Sequence, residues 1–286
     1  MALIASDSAN ADMIEYWNGA GGDAWIARQE EQDADIALVT GKLLARAALG
    51  PGERVIDIGC GTGNVTVEAI RLVSPEGRVL GVDISEPMLE RANARLSGTG
   101  NVTLVQADAT VYPFTDAAFN VAVSRMGVMF FAEPAKSFAN IRRALQHGGR
   151  LAFACWRGLD ENPWVSVPLG AARVHAPAQK PPSPDDPGPF SFGSEARVRG
   201  ILGAAGFAEP GFEKLDFERD LAQGRGREHA VTSAMNGGPA MRLFANAPPE
   251  TMRAATEAVR RALAPFARGD RVPMAAAVWI VTARNP

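Results

Sequence analysis

The stretch VIDIGCGTG, Val55 to Gly63, packs one acid, Asp57, and three glycines, Gly59, Gly61 and Gly63, into nine residues. Glycine is costly in a regular element and is kept where φ is positive or another group must approach the backbone closely. Alternate glycines after Val55, Ile56 and Ile58 therefore predict a short strand ending in a turn that holds a ligand. Two more acids sit at comparable places. Asp83 closes VLGVD and Asp108 closes VQAD, so three successive predicted strands end in a carboxylate. A carboxylate there can accept both hydroxyls of a ribose in charge-assisted hydrogen bonds. Three together would repel a diphosphate and favour a ligand that carries a cation, a ribose and an adenine.

The elements around these groups follow a regular order. RVIDIG, RVLGVDI, NVTLVQAD, FNVAVSRM and GGRLAFACW read as buried strands. Between them NVTVEAIRLV, EPMLERANARL and EPAKSFANIRRALQ read as helices, with Ser85 as an N-cap and Pro87 in a first turn. Strand alternating with helix predicts a parallel sheet covered on both faces. Ligands of such sheets bind outside the carboxyl ends of the strands, near the point where strand order reverses. The glycines fall there. Their spacing is G-x-G-x-G, and Asn64 stands where a dinucleotide fingerprint needs its third glycine. A nicotinamide oxidoreductase is the alternative this departure disfavours. A protein that holds the ligand without turning it over is another.

The flanks are less regular. Residues 10–49 read as helical, and residues 160–193 as a proline-rich loop or lid. SEARVRGILGAAG resumes as a helix capped by Ser194, FEKLDFERDL alternates like a strand, 228–266 is mostly helical, and AAAVWIVTAR is a last buried strand. The 286 residues carry a net charge of −3, which argues against a broad nucleic-acid footprint. No stretch reaches the roughly 18 apolar residues of a membrane span. Cys60 and Cys155 make neither a disulfide framework nor a metal set, and a cytoplasmic location with reduced thiols is expected.

VIDIGCGTG, VLGVDIS, VQADAT and FNVAVSRMGVMFF, followed by LQHGGRLAFACW, resemble the successive motifs of the class I S-adenosylmethionine-dependent methyltransferases over about residues 53–157. Beyond that span the likeness is architectural, with quinone-ring C-methyltransferases among the similar small-molecule branches. The resemblance implies an α/β fold: a doubly wound, Rossmann-like, mostly parallel sheet of seven strands, order 3-2-1-4-5-7-6, the last strand antiparallel. It divides the chain into a helical lid (1–50), a cofactor core (51–157), an inserted cap (158–193) and a C-terminal part (194–286). S-adenosyl-L-methionine is the implied cofactor. Gly59, Gly61 and Gly63 would let the backbone touch its methionine part, with Ser124 nearby. Asp57 would orient its amino group, or else simply cap the turn. Asp83 would hold the ribose. Ile84 and Met88 would pack on the adenine, Met88 otherwise being helix core. Asp108 would accept from the adenine amine beside the Ala109 backbone.

Methyl transfer from a sulfonium is an in-line displacement in which placement and desolvation supply much of the rate. Acceptor groups are therefore expected in the variable segments. Tyr16, Trp17 and Trp25 would belong to a lid over cofactor and acceptor, or else staple the first helix to the domain. Met126 after the fourth strand and Trp164 in the cap are further acceptor candidates. His175 is the candidate general base, or a structural histidine. Arg125 would orient an anionic acceptor, or pair with an acid. The expected partner is a small-molecule methyl acceptor, with no nucleic acid, membrane or metal, and a homodimer as one option.

Overall fold

Residues Val55–Ile58 are buried on both faces, as a central parallel strand requires. The computed structural model describes residues 5–177, 183 and 185–286. Four short helices come first: α1 (Ala11–Asn18), α2 (Ala20–Ala27), α3 (Gln29–Asp35) and α4 (Ala37–Ala47). The helical reading of 10–49 was continuous, whereas the backbone breaks at Gly19, Arg28 and Ile36. Then come β1 (Arg54–Ile58), α5 (Asn64–Val73), β2 (Arg78–Asp83), α6 (Glu86–Arg95), β3 (Val102–Gln106), β4 (Phe119–Arg125), α7 (Pro134–Ala144) and β5 (Leu145–Trp156). After these follow α8 (Pro163–Arg173), α9 (Glu195–Ala204), β6 (Ala208–Asp220), α10 (Arg227–Met235), α11 (Gly238–Leu243), α12 (Pro249–Leu263) and β7 (Pro273–Arg284). Ser85 and Ser194 cap α6 and α9 as expected, accepting from the backbone N–H of Met88 and Arg197.

The sheet has seven strands in the order β3-β2-β1-β4-β5-β7-β6, the order the motifs imply. β1 pairs in parallel with β2 and β4, β2 with β3, and β4 with β5. β7 runs antiparallel to β5: Gly148 donates to Asn285 O, and Arg157 donates to Ala277 O. Strand order reverses between β1 and β4. The carboxyl ends of β3, β2 and β1 thus lie side by side, which brings Asp108, Asp83 and Asp57 to one rim.

Two compact units divide the chain. The first holds Met1–Cys155, Asp186–Lys214 and Val278–Pro286; the second holds Trp156–Asp185 and Leu215–Ala277. The first is built on a phenylalanine cluster in which Phe138 meets Phe153, Phe192 and Phe207 at centroid distances of 5.5, 6.1 and 6.4 Å. The second has its own core, including Val231, Met235, Phe244, Val259 and Leu263. Of the expected cap (158–193), the stretch up to Asp185 belongs to the second unit and the rest to the first, and Leu215–Ala277 supply the larger share of the second unit. The loop reading of 160–193 also misses α8. Pro163 begins that helix in the first turn, where its missing N–H is harmless, and Pro168 sits inside it. His175 lies two residues past its end and donates its backbone N–H to Ala172 O.

Candidate active site

The glycine turn is shaped by the chain's own packing. Gly59, Gly61 and Gly63 all have positive φ, at 64°, 54° and 82°. A Cβ on Gly59 would lie 2.9 Å from the Gly127 Cα, and one on Gly61 would lie 2.8 Å from Met88 Cε. Gly127 returns the constraint, since its Cβ would meet Ile58 O at 2.8 Å. A ligand is thus not the sole reason for glycine here: the β1 and β4 turns touch backbone to backbone. Gly59→Ala combines left-handed strain with an unyielding neighbour and is expected to cost about 2–4 kcal/mol in denaturant unfolding. Gly98→Ala is the control, at φ 81° with open space around it, and should cost about 1–2 kcal/mol.

Asp57 is buried. Its Oδ2 accepts from the Thr66 hydroxyl at 2.6 Å, and its Oδ1 has no hydrogen-bond partner. Burial pushes its pKa up to about 6, against the pull of Thr66 and of the Arg125 charge. Gln106 Oε1, at the end of β3, is the other buried side-chain oxygen without a partner among the described residues. Such atoms cost about 1–3 kcal/mol each while no donor reaches them. Asp83 also lies buried, and burial raises its pKa. Its Oδ2 accepts from Gly61 N–H at 2.7 Å and its Oδ1 from Ser85 N–H at 2.9 Å. A carboxylate offers about four lone-pair positions, so these hydrogen bonds leave Asp83 with acceptor capacity for a further donor.

Asp108 is the most engaged of the three acids. Oδ1 accepts from Thr110 N–H at 2.8 Å, while Oδ2 accepts from Asp7 N–H at 3.0 Å and Asn10 Nδ2 at 2.6 Å. The neighbouring Ala109 is buried, and its carbonyl accepts from Asn140.

The first helices lie against the ends of β2 and β4. Asn18 bridges two backbone groups, donating to Ile84 O at 2.9 Å and accepting from Glu86 N–H at 2.9 Å. Ser85 Oγ donates to Trp17 O at 2.6 Å. The Trp17 ring meets Tyr16, Trp25 and Phe130 edge-on, with centroids 5.2, 6.3 and 5.1 Å apart. All four rings are half-buried.

Two candidates, Arg125 and Ser124, turn out to be bonded within the protein through their side chains, and a third, Met126, is buried. Arg125 is almost fully buried and paired with Asp33 of α3 at 3.0 Å, while donating to Asn64 Oδ1 and Thr40 Oγ1 at 2.8 and 3.0 Å. Asp33 also holds Arg95, which donates to Thr62 O inside the glycine turn at 3.0 Å. This network is the acid-pairing alternative for Arg125. Ser124 Oγ donates to Ile58 O at 2.7 Å. Met126 is buried in the left-handed region, φ 62°, which stores about 1 kcal/mol or more at the turn beside Gly127.

His175 and Trp164 belong to the second unit, and the glycine turn belongs to the first. Trp164 lies under the Arg219 guanidinium, 3.9 Å from its ring centroid, and donates from Nε1 to Asn162. Sequence reasoning missed Asn10, Asn18, Asp33 and Thr66. Thr66 alone had a local signal, a hydroxyl one turn into the helix after the glycines.

No three His, Cys, Asp or Glu side chains among the described residues could share a metal ion, and no described helix is long and apolar enough to cross a membrane. A family described as a methyltransferase domain matches residues 55–149. The chain is 36% identical over 111 residues to the ubiquinone/menaquinone biosynthesis C-methyltransferase UbiE of Marinomonas sp. (strain MWYL1), covering 38% of this chain and 44% of that one. It is 37% identical over 119 residues to an uncharacterized 37.1 kDa protein in transposon TN4556 of Streptomyces fradiae, covering 42% of this chain and 33% of the relative. The chain thus spans less than half the length of these two curated relatives. Among solved structures, the phosphoethanolamine N-methyltransferase 2 of Haemonchus contortus, in complex with phosphomonomethylethanolamine and S-adenosylhomocysteine, shares the fold. Its TM-score is 0.58 at 16% identity, over 98% of this chain and 61% of that one. Residues 55–149 thus match a methyltransferase-domain family, and they lie in a seven-stranded sheet with the strand order that the sequence motifs imply.

Proposed function

We propose that this chain is an S-adenosylmethionine-dependent methyltransferase acting on a small-molecule acceptor. The observation that carries the reading is the unpartnered, buried Oδ1 of Asp57 beside the glycine turn. The ammonium of a methionine moiety is the donor such an oxygen needs. The remaining lone pairs of Asp83 suit a ribose diol, so the residues present fit the cofactor. When bound, it supplies an electrophilic methyl group on a sulfonium. The protein's part is then to orient the two reactants and keep water out.

The half-buried rings of Tyr16, Trp17, Trp25 and Phe130 support a planar or partly aromatic acceptor. The UbiE relative, named for quinone biosynthesis, supports the same class. With Arg125 committed to Asp33, positioning rather than a charged clamp is the reading for acceptor binding. The two buried, free cysteines support a reducing compartment such as the cytoplasm.

Thermal unfolding with candidate cofactors tests the first step. At about 100 times its Kd, S-adenosylhomocysteine should stabilise by roughly 2.7 kcal/mol, a shift of several degrees. NAD should give none. A shift with NAD and none with S-adenosylhomocysteine overturns the proposal. Labelled methyl transfer to a panel of phenols, indoles, quinones and amines then tests the acceptor class.

A further inference from the structure

We propose that Asn10 is a positioning residue for the purine end of the cofactor, setting the carboxylate of Asp108 for a donor on the ligand's six-membered ring. The inference rests on the cofactor reading above and names a residue outside every motif. Asn10 is 4% exposed, although it lies only a few residues into the described chain. Its amide is used on three sides. Nδ2 donates to Asp108 Oδ2 at 2.6 Å and to Thr110 Oγ1 at 3.0 Å, and Oδ1 accepts from Ala132 N–H at 2.9 Å. Thr110 Oγ1 in turn lies 2.8 Å from Ser137 Oγ on α7. One side chain therefore ties the turns that follow β3 and β4 to the segment that leads into α1.

The arrangement is directional. Oδ2 of Asp108 is filled by Asn10 and by Asp7 N–H, while Oδ1, among the described residues, accepts from Thr110 N–H and keeps one lone pair. Holding Oδ2 fixes the rotation of the carboxylate, and with it the direction of that lone pair. An exocyclic amine on the purine can donate there; a carbonyl oxygen in the same place would face a carboxylate. Asn10 would thus act on which base is accepted, through Asp108 and without touching the ligand.

The test compares two ligands that differ at that one position, S-adenosylhomocysteine and S-inosylhomocysteine, titrated into the full chain by calorimetry. The wild type should prefer the adenosyl ligand by about ten-fold or more, the scale of one hydrogen bond to a charged group. Asn10→Ala should weaken the adenosyl ligand by a similar factor and change the inosyl ligand little, so that the preference collapses. An equal loss for both ligands, or no loss for either, overturns the proposal, since a merely structural asparagine moves both together. Should Asn10→Ala fail to fold, Asn10→Asp keeps the shape and removes the donor facing Asp108, and the same collapse is expected. If the wild type binds neither ligand, the cofactor reading itself fails, which the thermal-shift result registers separately.

Discussion

Asp83→Ala should all but abolish binding of S-adenosylhomocysteine, raising its Kd by about two to four orders of magnitude in a calorimetric titration. The substitution removes two hydrogen bonds to a buried charged acceptor, each worth on the order of 1.5–3 kcal/mol. It also does something the sequence did not suggest. Asp83 accepts from the backbone of Gly61 and of Ser85, so it holds the glycine turn and the start of α6. Its loss leaves those two N–H groups unsatisfied, at about 1–3 kcal/mol each. The unliganded variant should therefore melt several degrees below the wild type. Binding within a few-fold of wild type would place the ligand elsewhere.

Asp57→Asn should move stability and affinity in opposite directions. A carboxyl whose folded pKa is raised destabilises the native state wherever it must ionise. Below the ordinary value of 3.8 both states are protonated and the effect vanishes. Between there and about 6 it grows as pH rises, and above that it is complete. The size is on the order of 3 kcal/mol at pH 7, reduced by whatever the new amide fails to satisfy. The unliganded variant is thus expected to be about 1–3 kcal/mol more stable than wild type at pH 7 and no more stable at pH 4. Denaturant titrations at the two pH values read this directly. S-adenosylhomocysteine should meanwhile bind at least ten-fold more weakly, for want of a negative partner to its ammonium. A variant that is both less stable and unimpaired in binding would show that Asp57 only caps the turn.

How much of this was legible in the sequence depends on distance along the chain. The parallel sheet and the three rim acids were readable because each strand carries its own local pattern, whereas the strand order came from the resemblance of the motifs to a known family. Ser85 and Ser194 were readable as caps for the same local reason. The partners of Arg125 and Asp108 were not. Asp33 lies 92 residues from Arg125, and Asn10 lies 98 from Asp108; nothing in a lone polar residue announces such a pairing. The second unit was hidden for another reason. Helical periodicity in 228–266 shows that a face is buried, but not that it joins α8 in a core separate from the sheet's. Proline density misled as well: the prolines of APAQKPPSPDDPGPF set the loop reading for all of 160–193, whereas Pro163 starts α8 and Pro168 is carried inside it.

The backbone contact between Gly59 and Gly127 bears on any attempt to re-engineer the acceptor preference. One target is the turn after β4, residues 126–131, which brings Phe130 against the Trp17 ring and carries Met126 in its left-handed conformation. A loop transplanted from another methyltransferase would have to bring a glycine to position 127 and a residue that accepts positive φ at 126. Without them the graft would push on Gly59 and deform the turn that is to hold the cofactor. Screens of such chimaeras would then record lost cofactor binding as failed acceptor recognition. Libraries that keep 126 and 127 fixed and vary 128–131 avoid that confusion.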